Sequence, residues 1–205
     1  MLKFLFAVAA LIGLSALAGA GWFWARGIDT RDDPSAIESA AASAARRLMI
    51  PSADRRRSNP EPATTDNLRS GLEHWADHCA ICHGNDGSGD TPIGRALYPR
   101  APDMRLTSTQ ELSDGELFYI IENGVKLTGM PAWGTGTAEG ERSSWHLVQF
   151  IRRLPALSAA EIAAMEELNP RSAAEWRAID EERRFLAGEP PVPPAGGHVH
   201  QDDKK

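Results

Sequence analysis

The chain has 205 residues, a formal net charge of −6 and only two cysteines. The acidic balance excludes the basic footprint that nucleic-acid binding requires, and the cysteine count excludes a disulfide framework. Length allows one ordinary domain with extensions or two small ones. Helix formers dominate over alternating β-branched sequence, so an all-α fold is expected.

The N-terminal run from Phe4 to Trp24 is unbroken by charge and long enough to cross a bilayer as a helix. A cleavable signal peptide has a shorter apolar core and ends at a small-x-small site. Ala16-Leu17-Ala18 and Ala18-Gly19-Ala20 fit that description, but the apolar run continues past both into Trp22-Phe23-Trp24. Such an aromatic cluster belongs at a membrane interface, and residues 1–26 are read as an uncleaved anchor. Residues 27–64 read as a linker. Its Ala-rich stretch from Ser35 to Leu48 could form a short helix, and Arg55-Arg56-Arg57 and Asn59-Pro60-Glu61-Pro62 break any pattern. The arginine run reads as a solvated linker segment rather than a lipid contact.

A domain over residues 65–155 begins at Thr65, an expected N-cap. Leu68, Leu72, Trp75 and Cys79 recur at helical spacing and mark a buried stripe. That helix delivers Cys79-Ala80-Ile81-Cys82-His83, and Cys-x-x-Cys-His is the attachment pattern of a c-type haem. Residues three apart share one helix face, so two thiols can reach neighbouring vinyl groups on one porphyrin edge. His83 then comes directly beneath the iron. Other readings of these residues are weaker. Zinc needs about four protein ligands and the chain has no second Cys-x-x-Cys. A thioredoxin-like dithiol needs a βαβ context, and a disulfide closing so small a loop would add little stability.

Gly84 to Pro102 is expected as loop, its glycines permitting positive φ and close approach to a flat ring. Ser113-Asp114-Gly115-Glu116 is a capping box opening a helix that Asn123-Gly124 stops. A further helix is expected from about Arg142 to Leu154. Between these two helices lies Leu127-Thr128-Gly129-Met130-Pro131-Ala132-Trp133. Met130 is the candidate for the second axial ligand: Gly129 permits close approach, Pro131 holds the loop extended, and a thioether sulfur suits ferrous iron. Met104 is the next candidate. Met49, Met165, His74, His78 and His146 are expected in tether, packing, surface or pocket-edge roles. Residues 156–189 are read as a helical extension with capping boxes at Ser158 to Glu161 and Ser172 to Glu175. The remainder, 190–205, is a flexible tail in which His198 and His200 are incidental rather than a copper or nickel site.

The motif at 79–83 together with Gly129-Met130-Pro131 resembles a class I c-type cytochrome of the mono-haem, membrane-anchored bacterial kind, over about residues 65 to 154. Gly71, Trp75 and Phe150 match positions where the terminal helices of that family cross. Gly94 to Pro99, through Pro102-Asp103-Met104, is similar to its membrane-anchored branch. The resemblance implies one covalent haem c held by Cys79 and Cys82, with His83 and Met130 as axial ligands, and electron transfer rather than enzymatic catalysis. It implies redox partner proteins, in a respiratory complex or a dehydrogenase, and a single-pass protein of the bacterial inner membrane with the haem domain facing the periplasm. It further implies a loop carbonyl that accepts the His83 Nδ1–H, for which Pro92 is the expected residue, with Arg95, Arg100 and Trp133 at the haem propionates. The competing reading is a haem-based ligand sensor or peroxidase-like enzyme in which Met130 dissociates. A domain of this size buries a modest core, which a porphyrin would complete. The haem-free form is therefore expected to be poorly folded, and native helicity in the circular dichroism of a Cys79→Ser, Cys82→Ser variant would contradict that.

Overall fold

A computed structural model describes residues 1–27, 29–30 and 32–188. The His198 and His200 segment lies outside the described residues. Helices account for every regular element among them, with no strand. The chain divides into two units, Met1–Leu168 and one beginning at Asn169.

Helix α1 (Leu2–Arg26) is 25 residues long, and its stretch Lys3–Trp22 is apolar enough to cross a membrane. Helix α2 (Ala36–Met49) starts at a capping box in which Ser35 accepts from the Glu38 amide and Glu38 accepts from the Ser35 amide. No residue of α2 is buried.

The expected tether does not extend to residue 64. From Ile50 onward the chain is packed. Ile50 is buried, and α3 (Ser52–Arg55) lies so close to α8 (Asp114–Asn123) that a side chain at Gly115 would strike the Asp54 carbonyl. Ser113 Oγ donates to the Arg55 carbonyl at 2.7 Å. Asn59 Nδ2 donates to the Trp145 carbonyl at 2.9 Å, and the Glu61 carbonyl accepts from Gln149 Nε2 at 2.8 Å. Arg57 lies over the Phe118 ring, 4.4 Å from its centroid. That ring stacks on Trp145 with centroids 4.1 Å apart. The Arg-Arg-Arg run thus contributes a cation–π contact to the core.

The main contact is between α4 (Thr65–His74), capped by Thr64 one residue before the expected position, and α9 (Ala138–Arg153). Gly71 is the meeting point. A Cβ there would collide with the His146 carbonyl and stand 3.0 Å from Phe150 Cβ. Glycine is required because the two backbones touch. Around this crossing gather Trp75, Leu117, Phe118, Ile121, Trp145, Leu147, Val148, Phe150 and Ile151. Helix α8 carries the expected capping box and ends at Gly124, whose φ is 67°.

The expected extension divides differently from the sequence reading. Helix α10 (Ala159–Glu166) inserts Met165, fully buried, into the main core, with Ile162 and Leu157 beside it. Helix α11 (Ala173–Leu186) belongs to the second unit, capped by Ser172 and Glu175, with Phe185 and Leu186 exposed. Overpacking a filled contact costs about 1–3 kcal/mol, so Gly71→Val should lower the thermal unfolding midpoint of the assembled domain. An unchanged midpoint would show that α4 and α9 do not cross this closely.

Candidate functional site

Helix α4 does not continue as a regular α-helix into the cysteine motif. Trp75–Cys79 forms a π-helical turn, closed by the Ala80 amide donating to the Trp75 carbonyl, and α5 (Ala80–His83) comes next. Such a turn accommodates one extra residue and rotates the next helical segment relative to the preceding stripe. It therefore re-aims the motif while Trp75 and Ala76 stay in the core. The Trp75 indole packs on Phe150 and on the His83 ring, each at 5.7 Å between centroids. Its Nε1 donates to the Gly84 carbonyl at 3.0 Å. One side chain thus ties the helix crossing to the end of the motif.

The loop after His83 is pinned back on the motif. The His83 carbonyl accepts from the Gly89 amide at 2.8 Å. Thr91, the N-cap of α6 (Pro92–Ala96), directs its hydroxyl to the carbonyls of Ile81 and Cys82 at 2.9 and 3.1 Å. Gly94 has no room for a side chain against the Cys82 carbonyl. Farther on, Met104 donates its amide to the Gly87 carbonyl at 2.8 Å. Arg105 then bridges Asp103 at 2.8 Å and Asp86 at 3.0 Å. The Arg105 guanidinium holds the Asp103 carboxyl below its ordinary range. This clamp fixes the segment that begins at Pro102 and leads into the single turn of α7 (Thr107–Gln110).

The chemistry of the donor set stems from its burial. Desolvation pushes the Cys79 thiol up to about 12, with Cys82 adding to the effect, and burial also raises Cys82. Thiols raised in this way are the opposite of the low-pKa pair that disulfide exchange needs, and both cysteines are unpaired. His83 is lowered by burial and partly restored by the Pro102 carbonyl acting as hydrogen-bond acceptor. Its Nδ1 is buried without a hydrogen bond of normal geometry. The carbonyl acting on His83 is thus that of Pro102, whereas Pro92, expected in that role, is the exposed first residue of α6. Among the described residues, no group of three or more His, Cys, Asp or Glu side chains is gathered for a metal ion. Two thiols on one turn and a half-buried imidazole whose buried Nδ1 lies beside a carbonyl fit a covalently held porphyrin.

Met130 is half-buried in a loop folded against the end of α8. Its carbonyl accepts from the Val125 amide at 3.1 Å, and its amide donates to Thr128 Oγ1 at 3.1 Å. The loop is tied down again where Trp133 donates its amide to the Ile121 carbonyl at 3.0 Å. Gly129 faces Leu97, whose Cδ2 would stand 2.5 Å from an added Cβ. Leu97 directly succeeds α6, so the chain leaving the cysteine motif touches the loop that carries Met130. Met104 packs at the edge of the core and Met49 is exposed.

The arginines expected at the propionates are engaged elsewhere on the surface. Arg95 pairs with Asp90, and Arg100 pairs with Asp33 at 3.0 Å; both arginines are exposed. Trp133 packs at the core edge and receives the edge of His78, 5.3 Å away. His78 also contacts Asp77 at 3.0 Å. His146 is buried rather than at a surface or pocket edge, with Nδ1 3.2 Å from Ser70 Oγ. Sequence reasoning missed the π turn, which has no signature in Trp-Ala-Asp-His-Cys. It also missed the Asp86–Asp103–Arg105 clamp, for which the Asp-x-Arg spacing was the available signal.

Residues 66–151 match the family described as cytochrome C oxidase, cbb3-type, subunit III. No curated protein matches the chain. For the clamp, Asp103 is held low when folded, so its contribution to stability is present above the unfolded carboxyl pKa and is lost as pH falls through the folded one. Arg105→Ala should move the Asp103 titration back up toward the ordinary range, as read by carboxylate NMR. An unmoved titration would show that Arg105 is not its partner.

Proposed function

We propose that this chain, whose residues 66–151 are a class I c-type cytochrome domain with covalently bound haem c, is a membrane-tethered electron carrier with His83 and Met130 as the axial ligands. When bound, the haem supplies a one-electron iron couple, and the protein's task is to hold that couple at a useful potential away from water. Cys79 and Cys82 anchor the porphyrin edge. His83 presents Nε2 to the iron while its Nδ1–H turns to the Pro102 carbonyl, which fixes the ring and raises its basicity. Met130 would supply the second ligand to the iron from a loop held at both ends, and such His/Met ligation would raise the reduction potential. A filled coordination sphere leaves no place for peroxide or a diatomic ligand, which favours a carrier over a sensor or enzyme. The observation that carries this reading is the hydrogen-bonded Met130 loop packed on α8.

The apolar stretch Lys3–Trp22 supports a bilayer anchor for this domain, with the haem domain on the periplasmic side. The subunit named in the family description belongs to an oxidase, which supports a respiratory partner over a dehydrogenase. Trp133, at the core edge beside the Met130 loop, is the residue proposed for a propionate, since Arg95 and Arg100 pair with Asp90 and Asp33.

Met130→Ala tests the ligand. The variant should retain covalent haem and lower the midpoint potential by a fraction of the roughly 0.8 V that axial ligation spans. Its reduced form should show an immediate spectral change with carbon monoxide at neutral pH, and the parent protein should show none. A variant with the parent spectrum would remove Met130 from the iron and make Met104 the next candidate.

A further inference from the structure

Helix α2 has an apolar stripe that the domain does not use. Ile37, Ala41, Ala44 and Leu48 recur at i, i+4, i+7 and i+11, so they share one helix face. All four are exposed, Ile37 at 82% and Leu48 at 84%. Of the residues of α2 that are only partly exposed, Arg46 lies opposite the stripe and Glu38 a quarter-turn from it. There Glu38 meets the Tyr98 hydroxyl at 3.3 Å, and just before the helix Asp33 pairs with Arg100 at 3.0 Å. At the far end the Arg47 carbonyl accepts from Arg55 Nη1 at 3.1 Å. The helix is therefore held to the haem domain by polar contacts on one side and turns its apolar stripe outward.

Two features identify what covers that stripe. The first is reach. The membrane-length helix ends at Arg26, and residues 27–35 extend at most roughly 30 Å, so α2 cannot leave the neighbourhood of a bilayer that holds α1. The second is charge. Arg46 and Arg47 stand in the last turn of α2, and Arg47 is exposed beside the stripe, the arrangement of an interfacial helix that meets anionic lipid. The stripe is too short and Ala-rich to bind a membrane from solution. Tethering supplies the high effective concentration that makes such weak binding complete.

We propose that α2 lies along the membrane surface, with Ile37, Ala41, Ala44 and Leu48 at the acyl-chain boundary and Arg47 among anionic headgroups, and holds the haem domain against the bilayer through Tyr98 and Arg100. The loop bearing those two residues also carries Leu97, which touches Gly129, so the Met130 side of the domain is the side brought near the lipid. An electron partner embedded in the same membrane is then met in one orientation. This inference rests on the tethered reading of α1.

The test uses full-length holoprotein in nanodiscs of phosphatidylcholine with and without phosphatidylglycerol. Thioether bonds consume Cys79 and Cys82, so single spin labels are introduced by Leu11→Cys in α1, Leu48→Cys on the stripe and Ser39→Cys on the opposite face. Accessibility to oxygen is compared with accessibility to a water-soluble nickel chelate. The expected result is a lipid signature at residues 11 and 48, a water signature at 39, and a several-fold weaker lipid signature at 48 when the anionic lipid is omitted. A lipid signature at 11 with a water signature at 48 would overturn the proposal and leave the tether intact. Shielding of residue 48 from both reagents would overturn it in favour of a protein partner or a second copy. A water signature at 11 would instead overturn the tethered reading itself.

Discussion

The contact between Gly71 and the His146 carbonyl sets the position of nearly everything else in the domain. With no side chain at residue 71, the backbones of α4 and α9 meet directly, and Phe150 then lies where it can receive the Trp75 ring. Trp75 transmits that placement to the Gly84 carbonyl at the end of the cysteine motif. Two thiols and an imidazole are thus aimed by a crossing four or more residues upstream. The cost of a side chain at residue 71 would be felt first as misdirected chemistry and only then as lost burial.

Arginines brace this small core at three places, which explains how an acidic chain keeps it closed. Arg57 covers the Phe118–Trp145 stack. Arg152 reaches Asp114 and the carbonyls of Gln110 and Leu112. Arg105 joins the loop after the motif to the segment at Pro102. In two of the three, the guanidinium fork binds several acceptors at once, which a lysine could not reproduce.

What was legible in the sequence is what depends on short-range pattern. Capping boxes at Ser113, Ser158 and Ser172 opened helices where expected, because a side chain and an amide three residues on decide them locally. The attachment motif was legible because its spacing is its chemistry. The Gly71 crossing was visible only through resemblance to a family. What escaped was set by distant partners. Pro102 takes the place beside His83 that was expected of Pro92, since a clamp between residues 86 and 105 brings it there. The segment from Ile50 to Glu61 read as linker because its prolines and charges give no periodicity. Its contacts are single hydrogen bonds to α9 and to the start of α8, and one cation over an aromatic pair, which no local pattern announces.

That packed segment alters how far the redox centre can wander. A tether ending at residue 64 would give the domain a long, compliant cord. With residues 50–61 fixed to α8 and α9, and α2 bound to the Tyr98–Arg100 loop, the separation between anchor and domain shortens to the stretch from Arg26 to Asp33. With α1 in a bilayer as proposed, a centre confined to a hemisphere of that radius would meet a neighbour in the same bilayer at an effective concentration on the order of millimolar. Encounter would then no longer limit the electron transfer proposed for it. The number of neighbouring acceptors within one swing of the cord becomes the limit, and lateral spacing in the membrane sets that number.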